Sequence, residues 1–472
     1  MSEDEFGMLQ RKMSPGTARL KHSHFISYLF SQQNVADFAK LFDDTLMDIA
    51  ITNNEIFAVK TDGGAKVVLF DRLSQYIADE SKRDAFCRAI INKLVEFSFE
   101  RIFTQKFDFY ATIFEYLIKD YNSNSGGKYA EYFTPHAVAR IMAEILVPQD
   151  QRGKVKNVSC YDPSAGSGTL LMNVAHAIGE NRCSIYTQDI SQKSANLLRL
   201  NLILNNLVHS IPNVIQGNTV LHPYHKDGSD LKQFDYIVSN PPFKLDFSDF
   251  RDELDTNVNK VRFFAGIPNV PKAAKDKMAI YQLFLQHIIY SLKAGGKAAV
   301  VVPTGFITAQ SGIDKGIREH LVKYKMLAGV VSLPSNIFAT TGTNVSILFI
   351  DDSNKGEVVL IDASKLGQKV KDGKNQKIVM TELEEQRIIN VFTSKQTMED
   401  FSVAVSYDEI EAKNYSLSAG QYFDVKTDYV DITLEQFSEK MKSYTISLES
   451  LFKQSRELDA EIKKQLLGVK YE

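Results

Sequence analysis

Two hydrophobic rhythms share this chain. Short runs of β-branched and aliphatic residues, the pattern of buried strands, fall at residues 155–161, 183–188, 215–220, 234–239, 297–302, 327–333, 345–350 and 358–361. Apolar residues three or four apart, the pattern of helices, follow 137 to 146 and again Leu197, Leu198, Leu200, Leu202, Ile203 and Leu207. Strand and helix alternating in this way predict an α/β domain with a mixed, mostly parallel sheet. The first 125 residues read as mostly helical: Phe25, Tyr28 and Leu29, then Phe38, Leu41, Phe42 and Leu46, recur at helical spacing, as do stretches 86–103 and 109–121. Within them, Thr61-Asp62-Gly63-Gly64 leads into Val67-Val68-Leu69-Phe70, a hairpin or a loop.

The turn formers of 122–127 end this region, and 366–377 reads as a polar, lysine-rich loop. From 433 to 467 the helical rhythm returns. Met441, Leu448 and Ile462 fall on one heptad position and Tyr444, Leu451 and Leu458 on another. Ser455 and Gln465 interrupt that stripe, so it does not read as a continuous self-pairing zipper. The organisation expected is a helical domain over 1–125, an α/β domain over 126–430 and a terminal helix over 431–472.

Composition changes this picture in two places. No run of 18 apolar residues occurs and the chain opens on Met-Ser-Glu-Asp-Glu, which argues against a membrane span or secretory signal; with three scattered cysteines, Cys87, Cys160 and Cys183, the expectation is a cytoplasmic protein with reduced thiols. Net charge is −3, with pI near 6.3. A chain that gripped nucleic acid unaided would carry a basic excess, so any DNA partner would need help from another subunit.

Candidate chemistry lies where strands end. The strand at 234–239 runs into Asn240-Pro241-Pro242-Phe243, where two prolines stop the ladder and leave an amide side chain and a free carbonyl on a stiff turn. Acceptors so placed suit a planar exocyclic amine such as that of adenine. The Asn240 oxygen and the Pro241 carbonyl would take its two N–H groups, and Phe243 would stack on a base flipped from a duplex. The strand at 155–161 runs into Asp162-Pro163-Ser164-Ala165-Gly166-Ser167-Gly168-Thr169, a glycine loop opening a helix. Leu171 stands where a dinucleotide fingerprint needs glycine, which disfavours a pyrophosphate site. Asp189, 21 residues past Gly168, ends the next strand at the spacing at which an acid reaches a ribose diol. Asn218 reads either as an adenine contact or as a turn former. Upstream, Glu131-Tyr132-Phe133-Thr134-Pro135-His136 starts a helix, with Thr134 as expected N-cap and Pro135 as first helical residue. His222 and His225 have no acidic or cysteine neighbours that would make a metal site, and none is assigned.

The glycine loop followed by Asn-Pro-Pro-Phe resembles the S-adenosylmethionine-dependent amino-group DNA methyltransferases, in the order with the cofactor motif first. The Glu131–His136 segment, Gln286-His287-Ile288-Ile289 with 295–303, and Leu333-Pro334 before 342–345 narrow the likeness to the modification subunits of type I restriction–modification systems. The resemblance runs from about Phe109 through Ile350. It implies a Rossmann-like class I methyltransferase fold and methylation of adenine N6 in double-stranded DNA. Glu131, Tyr132, Phe133, Thr134, Pro135 and His136 would line the methionine end of the cofactor. Asp162, Ser164, Gly166, Ser167, Gly168 and Thr169 would surround it, Asp189 would hold its ribose and Asn218 its base. Asn240, Pro241, Pro242 and Phe243 would hold the target adenine.

The segment 256–277 carries Lys260, Arg262, Lys272, Lys275 and Lys277 against Asp276 alone, and beside the Asn240 turn it reads as a DNA-facing loop. No GxxxxGK[ST] sequence is present, and only about 120 residues follow Asp352, little room for a sequence-reading domain plus the terminal helix. In the resembled family the terminal helix would dock on a specificity subunit, and a restriction subunit, which translocates DNA, could join them. Two alternatives stay open: a protein-glutamine N5 methyltransferase, which also uses an Asn-Pro-Pro turn, and a catalytically idle scaffold.

Overall fold

Val300 and Val302 face one side of their strand, Ala299 and Val301 the other, and all four are buried. A strand buried on both faces has to lie inside a sheet covered by helices on both sides. The computed structural model describes residues 6–8, 12, 17–96, 134–338, 344–372, 375–423 and 433–467, and divides into two units, Met1–Phe423 and Asp424–Glu472.

In the first unit eleven strands form one sheet: β1 (Val59–Thr61), β2 (Lys66–Val67), β3 (Val158–Asp162), β4 (Cys183–Asp189), β5 (Val214–Gln216), β6 (Phe234–Ser239), β7 (Leu292–Pro303), β8 (Leu327–Ser332), β9 (Val345–Asp351), β10 (Val358–Asp362) and β11 (Ser402–Val405). Their spatial order is β11-β10-β8-β9-β7-β6-β3-β4-β5-β1-β2. From β7 through β6, β3, β4 and β5 to β1 every pairing is parallel. Strand β9 enters antiparallel between β7 and β8; residues 339–343 lie outside those described. The chain leaves β3 in one direction toward β4 and later returns on its other side as β6, so the C-terminal ends of β3 and β6 flank the point where strand order reverses. In open α/β sheets ligands bind there.

The helices include α1 (Phe38–Thr52), α2 (Arg83–Val95), α3 (His136–Leu146), α4 (Thr169–Ile178), α5 (Gln192–Leu204), α6 (Asn257–Arg262), α7 (Tyr281–Tyr290), α8 (Gly312–Lys323), α9 (Glu382–Ser394), α10 (Tyr407–Ala412) and α11 (Leu434–Leu467). Residues of α3, α4, α5 and α9 join Val301, Ile347 and Val359 in one core. Residues of α7, α8 and α10 join Val300, Leu348 and Leu360 in the other. A smaller core of Leu29, Phe38, Phe42, Cys87 and Ile91 holds α1 against α2, where Asp84 accepts the N–H groups of Phe38 and Ala39 at 3.2 and 2.8 Å.

The N-terminal region also feeds the sheet. The Gly63-Gly64 turn closes the β1–β2 hairpin, and β1 extends the parallel ladder beyond β5 with Lys60 opposite Ile215. Arg199, on the buried side of α5, fastens it: its guanidinium donates to the carbonyls of Phe57, Val67 and Val68 at 2.8, 2.9 and 3.0 Å. The boundary expected at 125 lies outside the described residues.

Two readings are corrected. Residues 366–377 are not simply a loop, because Gln368–Asp372 pairs with Asn375–Val379. The strand expected over 215–220 ends at Gln216, where Asn218 turns the chain. Helix α9 escaped the hydrophobic rhythm, although its capping box, Thr381 with Glu384, was there to be read.

In the second unit, α11 is one unbroken helix of 34 residues, about 50 Å long. Phe437, Met441, Tyr444, Leu448, Leu451, Leu458 and Ile462 stand exposed along it.

Candidate active site

Strand β3 delivers Asp162 to the bottom of the glycine loop. Gly168 takes φ +86, the left-handed conformation at which glycine is free of the side-chain penalty, and a Cβ there would lie 2.2 Å from Leu198 Cδ1 of α5. The loop therefore presses directly on the next helix before α4 begins at Thr169. Ser167 gives its carbonyl to Asn201 at 2.9 Å, and its hydroxyl lies 3.2 Å from that of Thr169.

Asp189 ends β4 in register with Gln216. One carboxylate oxygen accepts the N–H of Gly166 at 2.9 Å, the other that of Ser191 at 2.8 Å. Burial pushes this carboxyl upward, and the two N–H donors oppose it. Each oxygen has taken one hydrogen bond, so an ionised Asp189 retains acceptor capacity on both.

Asn218 forms a turn. Its Oδ1 accepts the N–H groups of Val220 and Leu221, both at 3.1 Å. Its NH2 group takes no part in those two bonds. Thr219 next to it donates to the Pro163 carbonyl at 2.7 Å, tying the loop after β5 to the loop after β3.

Asp162 is fully buried, and its Oδ1 accepts from the Ser164 N–H and the Ser239 hydroxyl, each at 2.9 Å. The hydroxyls of Ser164 and Ser239 are 2.7 Å apart. Ser239 is the last residue of β6, immediately before Asn240, so this network joins the glycine loop to the Asn-Pro-Pro turn. Burial raises the Asp162 carboxyl to about 7, only partly offset by these donors. Sequence reasoning missed Ser239; the available signal was a hydroxyl ending an apolar strand one residue before the turn.

Asn240 reaches sideways. Its Nδ2 donates to Thr134 Oγ1 at 3.2 Å. Thr134 was expected to cap the following helix; instead Pro135 is the N-cap, His136 opens α3, and the Thr134 hydroxyl meets the Asn240 amide. Pro241 is buried, and Phe243 packs against both main cores. Phe243 lies edge-on to Tyr281, ring centroids 6.2 Å apart, and the Tyr281 hydroxyl is fixed by both oxygens of Asp314 at 2.7 and 2.8 Å. Glu131, Tyr132 and Phe133 lie outside the described residues.

The basic segment is less uniform than its sequence. Lys260, Lys272, Lys275 and Lys277 are exposed, but Arg262 is 2% exposed and donates to the carbonyl of Val220 at 2.5 Å. Arg262 is a strut under the site and is removed from the DNA-facing set. Gln286, the first residue of the resembled Gln-His-Ile-Ile motif, is fully buried. It holds the same segment by accepting the Ala265 N–H at 2.7 Å and donating to the Gly266 carbonyl at 3.0 Å. The two histidines have separate duties: His225 bonds the Thr187 carbonyl at 3.0 Å and its pKa is depressed by burial to about 4, whereas His222 offers its carbonyl to Gln188.

In comparisons with known proteins, a methylase subunit of the Mycoplasma pneumoniae type I restriction enzyme MpnII is 28% identical over 373 residues, 77% of this chain and 64% of that one. The methylase subunit of Haemophilus influenzae HindI is 27% identical over 77% of this chain and 79% of that one. The chain thus spans slightly less than two thirds of the length of the first and more of the second. A type I restriction–modification methyltransferase subunit from Streptococcus thermophilus has the same fold: TM-score 0.69 at 23% identity, over 89% of this chain and 84% of that one. The family model described as N-6 DNA Methylase matches residues 105–429, more than half of the sequence, and this chain belongs to that family.

Proposed function

We propose that this protein is an S-adenosylmethionine-dependent adenine-N6 DNA methyltransferase, acting as the modification subunit of a type I restriction–modification complex. The observation that carries the reading is the direct link, Ser164 to Ser239 at 2.7 Å, between the glycine loop and the strand that presents Asn240. That contact joins donor loop and acceptor turn at the reversal point of the sheet.

The residues fit the cofactor. Asp189 is held in place with acceptor capacity to spare for a ribose diol. Glu131 to His136, Asp162, Ser164, Gly166, Ser167, Thr169 and the Asn218 NH2 complete the proposed surround. When bound, the cofactor supplies an electrophilic methyl group on a sulfonium. Asn240 Oδ1 and the Pro241 carbonyl accept the two N–H groups of the target amine and favour its pyramidal, nucleophilic form. Pro242 stiffens the turn, and Phe243, braced by Tyr281, supplies a face for the base. Orientation lowers the barrier, with no acid–base residue doing most of the work.

The exposed stripe of α11 supports docking on the specificity subunit that selects the site, with a restriction/translocase subunit as a further partner. A 34-residue amphipathic helix suits burial against partner helices. We assign 1–125 to a helical domain lending strands β1 and β2 to the sheet, 126–430 to the methyltransferase and 431–472 to assembly. No helix among the described residues is long and apolar enough to cross a membrane, in keeping with the cytoplasmic location proposed.

The test is single-molecule sequencing of host DNA with the gene intact and with Asn240→Ala. Loss of N6-methyladenine at one two-part motif is expected in the mutant. Unchanged DNA methylation, with glutamine methylation lost by mass spectrometry, would replace DNA with a protein substrate.

A further inference from the structure

An asparagine amide has two ends of nearly equal size and opposite hydrogen-bonding sense. Only the oxygen end can accept from an exocyclic amine; the NH2 end would set donor against donor. Something must decide which end faces the substrate, and strand geometry does not, because the amide rotates about its last torsion.

Thr134 holds the NH2 end in this fold; a hydroxyl alone could bond either end, and a target amine that offers N–H groups settles the pairing by requiring the oxygen. Thr134 Oγ1 accepts from Asn240 Nδ2 at 3.2 Å, so Oδ1 is the end left for another partner. Thr134 is 7% exposed, so little water competes for the contact. Both partners are stiffly mounted. Each precedes a proline, Pro135 or Pro241, which restricts its backbone to extended conformations, and Thr134 is β-branched, with few χ1 states. The two segments are 106 residues apart in sequence.

We propose that Thr134 is a positioning residue that sets the Asn240 amide with Oδ1 toward the target amine. The inference rests on the adenine-methylation reading above. It gives Thr134 a role in turnover, distinct from the cofactor contact the resemblance implies.

The experiment uses the full chain assembled with its specificity subunit, unmethylated host DNA and radiolabelled S-adenosylmethionine. Thr134→Val keeps shape and removes the hydroxyl; Thr134→Ser keeps the hydroxyl. Thr134→Val is expected to lower the single-turnover rate at saturating cofactor by about 10- to 100-fold, the scale of a misplaced reacting group. Cofactor Kd is measured by calorimetry so that every rate is taken at saturation; Thr134→Ser should recover most of the rate, and Thr134→Val should cost little more in an Asn240→Ala background. If Thr134→Val does not fold, Thr134→Ala carries the same measurement. An unchanged rate, or a deficit that saturating cofactor abolishes, would overturn the positioning role. A wild-type complex that methylates no adenine would overturn the underlying reading, and this inference with it.

Discussion

Asp162 and Asn240 stand at the C-terminal ends of neighbouring strands, yet the two side chains are used in opposite ways. Asp162 is sealed, and its Oδ1 is consumed by the glycine loop and by Ser239. Asn240 is half-buried and spends its nitrogen on Thr134. One polar group holds two loops together and the other is held so that part of it stays free. Polar side chains at the ends of neighbouring strands therefore do different work here, one bracing two loops and the other keeping an acceptor free.

Asn240→Ala is the sharpest way to separate the two. Methyl transfer should fall by at least about 1,000-fold, with cofactor affinity in calorimetry nearly intact; a matching loss of affinity would place Asn240 with the cofactor. Asp162 should instead register in stability. Its carboxyl is raised from 3.8 to about 7 by folding, so the folded chain holds a proton that the unfolded chain releases. That contribution is complete below pH 4 and is lost as pH rises through 7, on the order of 4 kcal/mol in all. Asp162→Asn, which cannot ionise, should flatten this slope in urea unfolding between pH 5 and 8. If its slope matches that of the wild type, Asp162 is not the titrating group.

The basic segment supplies a smaller contrast of the same kind. Arg262→Ala should cost about 3 kcal/mol, because it removes a buried guanidinium from the Thr219 and Val220 carbonyls. It should leave the salt dependence of DNA binding unchanged. Lys275→Ala, at an exposed position, should do the reverse: stability within about 0.5 kcal/mol and a salt slope shallower by about one.

Much of this was legible in the sequence because burial on both faces writes strands as unbroken apolar runs, as at 297–302 and 345–350. The α11 stripe was equally plain, and the residues around Gly168 and Asn240 announced themselves by composition. What stayed hidden depends on long-range partners. Arg262 reads as a solvated cation until Val220 comes under it; Ser239 is one more small residue until Asp162 and Ser164 meet it. The lysine-rich 368–379 hairpin lacks the alternation that marks a half-buried strand, so composition favoured a loop. Strand β1 is three residues long, too short for a period to show.

Arg199 bears on how the gene should be cut. A fragment trimmed to the start of the family match at residue 105 looks like a tidy catalytic piece on paper. It would lack Phe57, Val67 and Val68, leaving a guanidinium inside the protein without those three carbonyl partners. It would also strip β1 from β5 and open a strand edge to neighbouring molecules. Inclusion bodies from such a fragment would reflect that amputation and would say nothing against the fold. Expression should begin ahead of Leu29, which belongs to the core between α1 and α2.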